Sequence, residues 1–439
     1  MHIDPLGEWR RTHYTSDIKP ELDGKEIIIF GWVKEIRDLG GIRFLILRDR
    51  EGSVQVTIPR KKVSKELLEK SDTLQTQFSI GIKGVIKKTT MTPRGVEIIP
   101  NEIHIVGLAQ HPLPLDPTGK TLAEIDVRLD ARVLDLSSEE NVALFKVEHE
   151  TLASTREFLS GKGFIEVHTP RIIATATEGG AELFPVQYFE TKAYLAQSPQ
   201  LYKEQLTLSF EKVFEIGPFF RAEESSTRHH LSEFISIDVE QAFADENDVM
   251  RLLEEMVQYQ CKMVKEKCAN ELAVLKHEIE VPSLPFKRYT YDEILDELAE
   301  KGTEIKWGDD IPTPAYRVLG ELHPEFYFIT SWPTAAKPFY IKLREDNPKL
   351  TEGFDLMWTW MELASGGTRV HDKEVLTKRL KERGLNPESF KYHLKVFDYG
   401  IPPHAGWASG LEREIMMLTG LKNIREAVLF PRDRTRLIP

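Results

Sequence analysis

Only two cysteines occur in 439 residues, too few for a disulfide-stapled scaffold or a cysteine-built metal site. Cys261 and Cys268 stand seven residues apart in a helical pattern, which sets them about 10 Å apart and out of disulfide reach. No apolar run approaches membrane-spanning length. The opening residues MHIDPLGEWRRTHYT lack the apolar stretch of a signal peptide, so a cytoplasmic location is expected. Low-complexity tracts, a disordered tail and internal repeats are also absent.

What is present describes a globular chain, with 41% hydrophobic and 29% charged residues. A length above the single-core limit of about 250–300 residues implies two or more domains. The net charge of −12 argues against indiscriminate nucleic-acid binding. That charge is uneven: residues 1–112 hold 18 Lys and Arg against 15 Asp and Glu, the remainder 40 against 55. The basic balance of the first part reads equally as a solvated face or as a nucleic-acid footprint.

From Lys25 to about Val106, short apolar runs such as KEIIIFGWV, RFLILRD, SVQVTI and GVEIIP alternate with Gly, Asp and charged turns. They predict a small β-barrel of about five strands with a helical patch near Ser64–Ser71, which suits an OB-fold. The proline-rich segment HPLPLDPTGK marks a linker. Beyond it Asn141–Lys162 is expected to be helical, with Phe145, Leu152 and Leu159 on one face; Gly163 ends it and FIEVHTP follows as a strand that stops at Pro170. KVFEIGPFFRAE and EFISIDVEQAF predict an antiparallel hairpin around a long polar tip, and Val249, Leu252, Leu253, Met256 and Met263 an amphipathic helix after it. Residues from about 278 to 343 mix helix and strand signals without a chemical motif. The last hundred residues suggest two strands and a helix near Gly410–Leu418.

The hairpin tip FFRAEESSTRHHLSEF carries Arg221, Glu223, Glu224, Arg228, His229, His230 and Phe234. A guanidinium grips phosphate oxygens in two places, further cations neutralise outer phosphates, and an aromatic ring offers a surface to a purine. Taken alone, this reads equally as a salt-bridged hairpin.

Three separated segments decide between these readings. GFIEVHTP with Pro170, FRAEE with its loop, and GWASGLER (Gly406 to Arg413) resemble, in order and in strand and helix context, the three motifs of class II aminoacyl-tRNA synthetases. Within that family the whole chain looks like the archaeal-type aspartyl enzymes. The resemblance implies an α+β fold, with an N-terminal OB-fold barrel and a catalytic domain built on an antiparallel sheet flanked by helices. The expected boundaries are an anticodon-binding domain over 1–111, a linker over 112–138 and a catalytic domain over 139–439, with an inserted segment at about 278–343. The first motif further implies a homodimer.

By the same resemblance the chain activates L-aspartate with ATP and transfers it to tRNA(Asp), and also to tRNA(Asn). Arg221 is expected on the α-phosphate and Arg413 on the adenine opposite Phe234. Glu223, His229, His230, Leu231, Gly410, Leu411 and Glu412 complete the ATP contacts, and Glu362 with Ser365 holds Mg2+. Such a reaction needs positioning and charge neutralisation more than a general base, because a carboxylate is already a nucleophile. Lys203 and Arg369 are expected to face only the side-chain carboxylate of aspartate, as a desolvated anion requires. Glu178, on a glycine-containing loop, would hold the ammonium group with Gln200 and Asp238. Ala408 departs from the glycine usual in the third motif, so the backbone there approaches a nucleotide less freely.

In the barrel, Phe44 and Gln55 match the residues that stack on and read an anticodon base, with Arg37 serving a neighbouring base or phosphate. Phe44 also reads as barrel core, and Arg37 as a surface cation. Relatives that charge one tRNA strictly carry tryptophan and lysine where this chain has Lys34 and Pro93, so the discriminating pair is missing. Two other classes remain to be weighed: an adenylating paralogue with a free product, as asparagine synthetase A is, and a catalytically silent tRNA-binding protein. The barrel disfavours the first, and retention of Arg221, Glu362, Lys203, Arg369 and Arg413 the second.

Overall fold

The computed structural model describes all residues except Met1, Leu122, 175–182 and 223–229. It divides into two compact units, Met1–Val142 and Ala143–Ile438.

In the first unit, β1 (Glu26–Leu39), β2 (Ile42–Asp49), β3 (Gly52–Pro59), β4 (Ser79–Lys88) and β5 (Val96–Gly107) close into a barrel in the order β1-β2-β3-β5-β4. Strand alternation builds its interior: Ile27, Ile29, Val33, Leu45, Leu47, Val54, Val56 and Ile58 are at most 2% exposed, each worth about 1.5–3 kcal/mol of burial. A bulge between Val33 and Glu35 shifts the alternation of β1. Helix α1 (Lys65–Asp72) starts where the Ser64 hydroxyl accepts from the Leu67 amide.

The second unit begins within α2 (Glu139–Gly161), whose apolar face carries Leu144, Val147 and Leu159 into the core. Gly163, at φ +83°, turns the chain out of the helix as anticipated. The strand expected after it is short: β6 covers only Ile165–Glu166 and pairs parallel to β10. A small three-stranded sheet follows, from β7 (Ile172–Ile173), β8 (Pro185–Tyr188) and β9 (Thr191–Leu195). After α3 (Gln200–Phe210) come β10 (Lys212–Phe220) and β11 (Glu233–Ala242), the antiparallel hairpin predicted for this stretch. Helix α4 (Glu246–Lys267) opens on a capping box at Asp245 and buries Val249, Leu252, Leu253, Met256, Val257, Cys261 and Val264. Both cysteines are free and buried.

β12 (Lys287–Thr290) and β13 (Phe326–Thr330) lie at one edge of the main sheet. Three strands, where two were expected, follow residue 340: β14 (Gly353–Trp358), β15 (Met361–Thr368) and β16 (His404–Gly410). α5 (Lys391–Val396) precedes β16 and α6 (Leu411–Thr419) follows it. The eight-stranded order is β12-β13-β14-β15-β16-β11-β10-β6. Among the described residues, no helix is long and apolar enough to cross a membrane.

Candidate active site and anticodon surface

One row of side chains crosses five strands of the main sheet. Asp355 on β14 lies opposite Ser365 on β15, Ser365 opposite Ala408 on β16, Ala408 opposite Asp238 on β11, and Asp238 opposite Glu215 on β10. Register partners share a face, so the methyl group of Ala408 sits in the floor between a serine and two carboxylates. Nearby, Gly406 permits a closer approach than any side chain would. A Cβ there would fall 2.2 Å from the Val239 carbonyl oxygen. At the far end, Glu215 explains the first motif: it accepts from the Thr169 amide (2.9 Å) and hydroxyl (2.8 Å) and from Arg171 (2.7 Å), fixing the residues on either side of Pro170.

The register of β14 and β15 also slips at Met357, which pairs with Glu362 while Leu356 pairs with Ala364. The extra residue, Leu363, puts Glu362 and Ser365 on one face although they are three apart. Burial and the neighbouring charge of Asp355 raise the pKa of Glu362, against the pull of Arg413, Lys337 and Arg221. Asp355 was not anticipated, nor was its partner: the buried Lys337 ammonium pairs with Asp355 at 2.5 Å and lies 3.3 Å from the Ser365 hydroxyl. The available signal was a carboxylate inside the apolar run GFDLMW, which a buried strand tolerates only with a partner. Among the described residues no group of three or more His, Cys, Asp and Glu is gathered for a metal ion. Oxygens of Asp355, Glu362 and Ser365 still fit Mg2+, which commonly binds one or two carboxylates together with substrate phosphates.

Arg221, exposed at the end of β10, lies with its guanidinium 5.2 Å from the centre of the Phe234 ring, and Arg413 donates to the Glu362 carbonyl oxygen (2.8 Å). Several anticipated nucleotide contacts have side chains directed elsewhere. Leu231 and Leu411 belong to the apolar core, so only their backbone can meet a ligand. Glu412 is 3% exposed, accepts from the Ile235 amide (2.8 Å), and is pushed by burial to a pKa of about 7. It steadies the strand that carries Phe234. Gly410 caps α6, and His230 is half-buried. Glu178, Glu223, Glu224, Arg228 and His229 lie outside the described residues.

Deeper in the site, Lys203 and Arg369 are both buried, and neither faces a substrate alone. Lys203 Nζ donates to Asp238 Oδ1 (2.9 Å) and the Trp407 carbonyl oxygen (2.9 Å), with Glu240 Oε2 at 3.6 Å. Arg369 donates from Nε and Nη2 to the two oxygens of Glu240 (2.9 and 3.2 Å). Burial alone would lower the pKa of Arg369, but its contact with Glu240 outweighs that and raises it. The expectation that each cation meets only the ligand is therefore corrected: an unpaired buried cation is unstable, and the sheet supplies its counter-ion. Asp238 and Glu240 alternate on the buried strand ISIDVEQAF, a pattern that could have disclosed Glu240. Gln200 is buried at the start of α3, one turn before Lys203.

On the barrel, Arg37 faces Phe44 across β1 and β2, Phe44 faces Thr57 on β3, and Gln55 faces Ile46. Arg37, Phe44 and Gln55 thus share an outer face. Phe44 is half-buried there, away from the interior. Arg37 pairs with Glu35 at 2.7 Å. Glu97, missed in the sequence, joins this face: its carboxylate accepts from Thr57 Oγ1 (2.6 Å) and Gln55 Nε2 (3.4 Å). Pro93 is exposed in the turn between β4 and β5, a loop that OB-folds use for nucleic acid. Lys34 is tied to Glu139 at 2.9 Å within the same unit.

The eight-stranded sheet with its flanking helices is the catalytic frame of a class II aminoacyl-tRNA synthetase. The chain belongs to that family: residues 124–434 match the family described as tRNA synthetases class II (D, K and N), and residues 27–106 match the OB-fold nucleic acid binding domain. More particularly, the chain is 52% identical to an aspartate–tRNA(Asp/Asn) ligase of Archaeoglobus fulgidus, over 97% of this chain and 99% of that protein. It is 49% identical to an aspartate–tRNA(Asp) ligase of Pyrococcus abyssi, over 98% of this chain and 100% of that one. Among solved structures, asparaginyl-tRNA synthetase from Pyrococcus horikoshii complexed with asparaginyl-adenylate superposes with a TM-score of 0.93 at 33% identity, over 98% of this chain and 100% of the other.

Proposed function

We propose that the chain is an aspartate–tRNA ligase that charges both tRNA(Asp) and tRNA(Asn). The observation that carries the amino-acid assignment is the buried pair Lys203 and Arg369. Two of the three guanidinium nitrogens of Arg369 face Glu240, which leaves the Nη1 edge for the side-chain carboxylate of aspartate. Asparagine would leave that edge without an anion in a water-poor site.

The α-carboxylate of aspartate attacks the α-phosphorus of ATP, and the bond to the leaving pyrophosphate breaks. Arg221 grips the α-phosphate as charge moves onto it, and Arg413 and Phe234 hold the adenine. Gln200 and Asp238 receive the ammonium group. Asp355, Glu362 and Ser365 would hold Mg2+, which neutralises phosphate charge when bound. In the second step the terminal ribose hydroxyl of tRNA attacks the acyl carbon and AMP leaves. The exposed Ile165 and Ile172, flanking Pro170, support a homodimer interface. A cytoplasmic location belongs to the same proposal.

Relaxed tRNA choice follows from the barrel. The two anticodons differ only at the third base, where cytosine offers an amino donor and uracil a carbonyl acceptor. Pro93 has no side-chain hydrogen bond to offer, and Lys34 is drawn toward Glu139. A missing base contact of about 1–3 kcal/mol is worth roughly ten- to a hundred-fold in selectivity. Pyrophosphate exchange with and without tRNA, then charging of the two unmodified transcripts at one salt concentration, tests the whole reading. Aspartate-dependent exchange without tRNA and comparable charging of both are expected. A preference for tRNA(Asp) well above about a hundred-fold would overturn the dual assignment.

A further inference from the structure

Beside the aspartate pocket lies a second buried cluster, of which the reaction above uses only Gln200. Gln200 and Glu204 are four apart on α3 and so share a helix face. Glu204 is 0% exposed, and its Oε1 accepts from Gln200 Nε2 at 2.7 Å. Its other oxygen has no hydrogen bond among the described residues; Oε2 lies 3.4 Å from His393 Nε2 on α5 and 3.6 Å from His404 Nε2 on β16. These are ion-pair distances rather than hydrogen bonds. We propose that Glu204, flanked by His393 and His404, is a positioning residue that decides which end of the Gln200 amide meets the ammonium group of the substrate.

An ionised carboxylate only accepts, so it fixes the amino end of the Gln200 amide against itself and turns the carbonyl oxygen the other way. An ammonium group needs that oxygen. A glutamine free to flip would present its own N–H groups as readily, and like donors repel.

For this to work, Glu204 must remain an anion without water. The ring partners show how. His393 Nδ1 lies 3.3 Å from the Gln205 amide nitrogen, a donor, so Nδ1 accepts and Nε2 carries the hydrogen toward Glu204. His404 Nδ1 lies 2.8 Å from the Pro402 carbonyl oxygen and must itself be protonated. Its Nε2 can then face a carboxylate favourably only as an imidazolium. Burial works against the charge of His404, but Glu204 and Glu240 raise its pKa; burial likewise opposes the charge of Glu204, and the two imidazoles hold it below the usual carboxylate range. The buried charges then cancel: Lys203, Arg369 and His404 against Asp238, Glu240 and Glu204.

The inference rests on the aspartate reading of the pocket, and the test separates the two. Wild-type exchange with aspartate checks the pocket; its absence would remove both. Given that exchange, Glu204→Met is expected to raise the aspartate KM by about ten- to a hundred-fold, the loss of a charge-assisted contact, with the ATP KM unchanged. Succinate, which has both carboxylates but no ammonium group, should inhibit wild type and variant with equal constants. Glu204→Gln keeps the shape and one acceptor, so it should recover part of the loss, and it carries the same comparison if the methionine variant does not fold. An unchanged aspartate KM, or parallel weakening of succinate, would overturn the proposal.

Discussion

Arg221→Ala is expected to lower aspartate-dependent pyrophosphate exchange by hundreds-fold while the protein keeps its fold. Arg221 is exposed, and its guanidinium rests over the Phe234 ring without an ion-pair partner among the described residues, so its removal leaves no buried charge behind. Its field nevertheless reaches the acidic pair, since it opposes the rise that burial and Asp355 give the pKa of Glu362. A preorganised donor aimed at developing charge is worth about 2.7–4 kcal/mol of transition-state stabilisation, hence the size of the loss. Arg221→Lys should fall between the two, because an ammonium group restores charge but not the two-pronged grip. Exchange kinetics beside a melting curve would decide it. Near-wild-type exchange by the alanine variant would remove Arg221 from the mechanism.

Much of this site could be read from the chain because its residues sit in local patterns. The barrel strands alternate within eight to fourteen residues, and β10 and β11 flank a single polar tip. What escaped depends on partners distant in the chain or on backbone contact. Lys337 meets Asp355 eighteen residues on, and Glu97 meets Thr57 forty residues back; neither spacing belongs to a helix or a hairpin turn. β15 was harder still. Its ASGGT sequence is poor in strand formers, and it is a strand because β14 and β16 pair with it on both sides. There the requirement for close packing outweighs propensity: a Cβ on Gly366 would fall 2.5 Å from the Gly406 carbonyl oxygen. The charged pocket illustrates the same limit. Lys203 and Arg369 were legible as cations, whereas Glu240 and Glu204, which keep the cluster neutral, became identifiable only when α3, β11 and the end of β15 were brought together.

That neutral cluster sets the outcome of Arg369→Met and Lys203→Met, which are expected to lose both stability and aspartate binding. Each variant strands a carboxylate: Glu240, 0% exposed, loses its two contacts to Arg369, and Asp238, 1% exposed, loses its contact to Lys203. Breaking a buried ion pair from one side costs about 3–5 kcal/mol. A fall in melting temperature therefore says nothing about the substrate, and kcat/KM alone would be ambiguous. Removing both partners separates the roles. Arg369→Met combined with Glu240→Gln leaves no buried charge without a partner at that position, since Lys203 retains Asp238, and it should regain most of the lost stability. The aspartate KM should stay high in the double variant, with ATP binding near wild type, because the Nη1 edge for the side-chain carboxylate is still missing. Thermal melting and exchange kinetics on the single and double variants complete the cycle. If restoring stability also restores the aspartate KM, Arg369 serves the fold alone and the carboxylate of the substrate is held elsewhere.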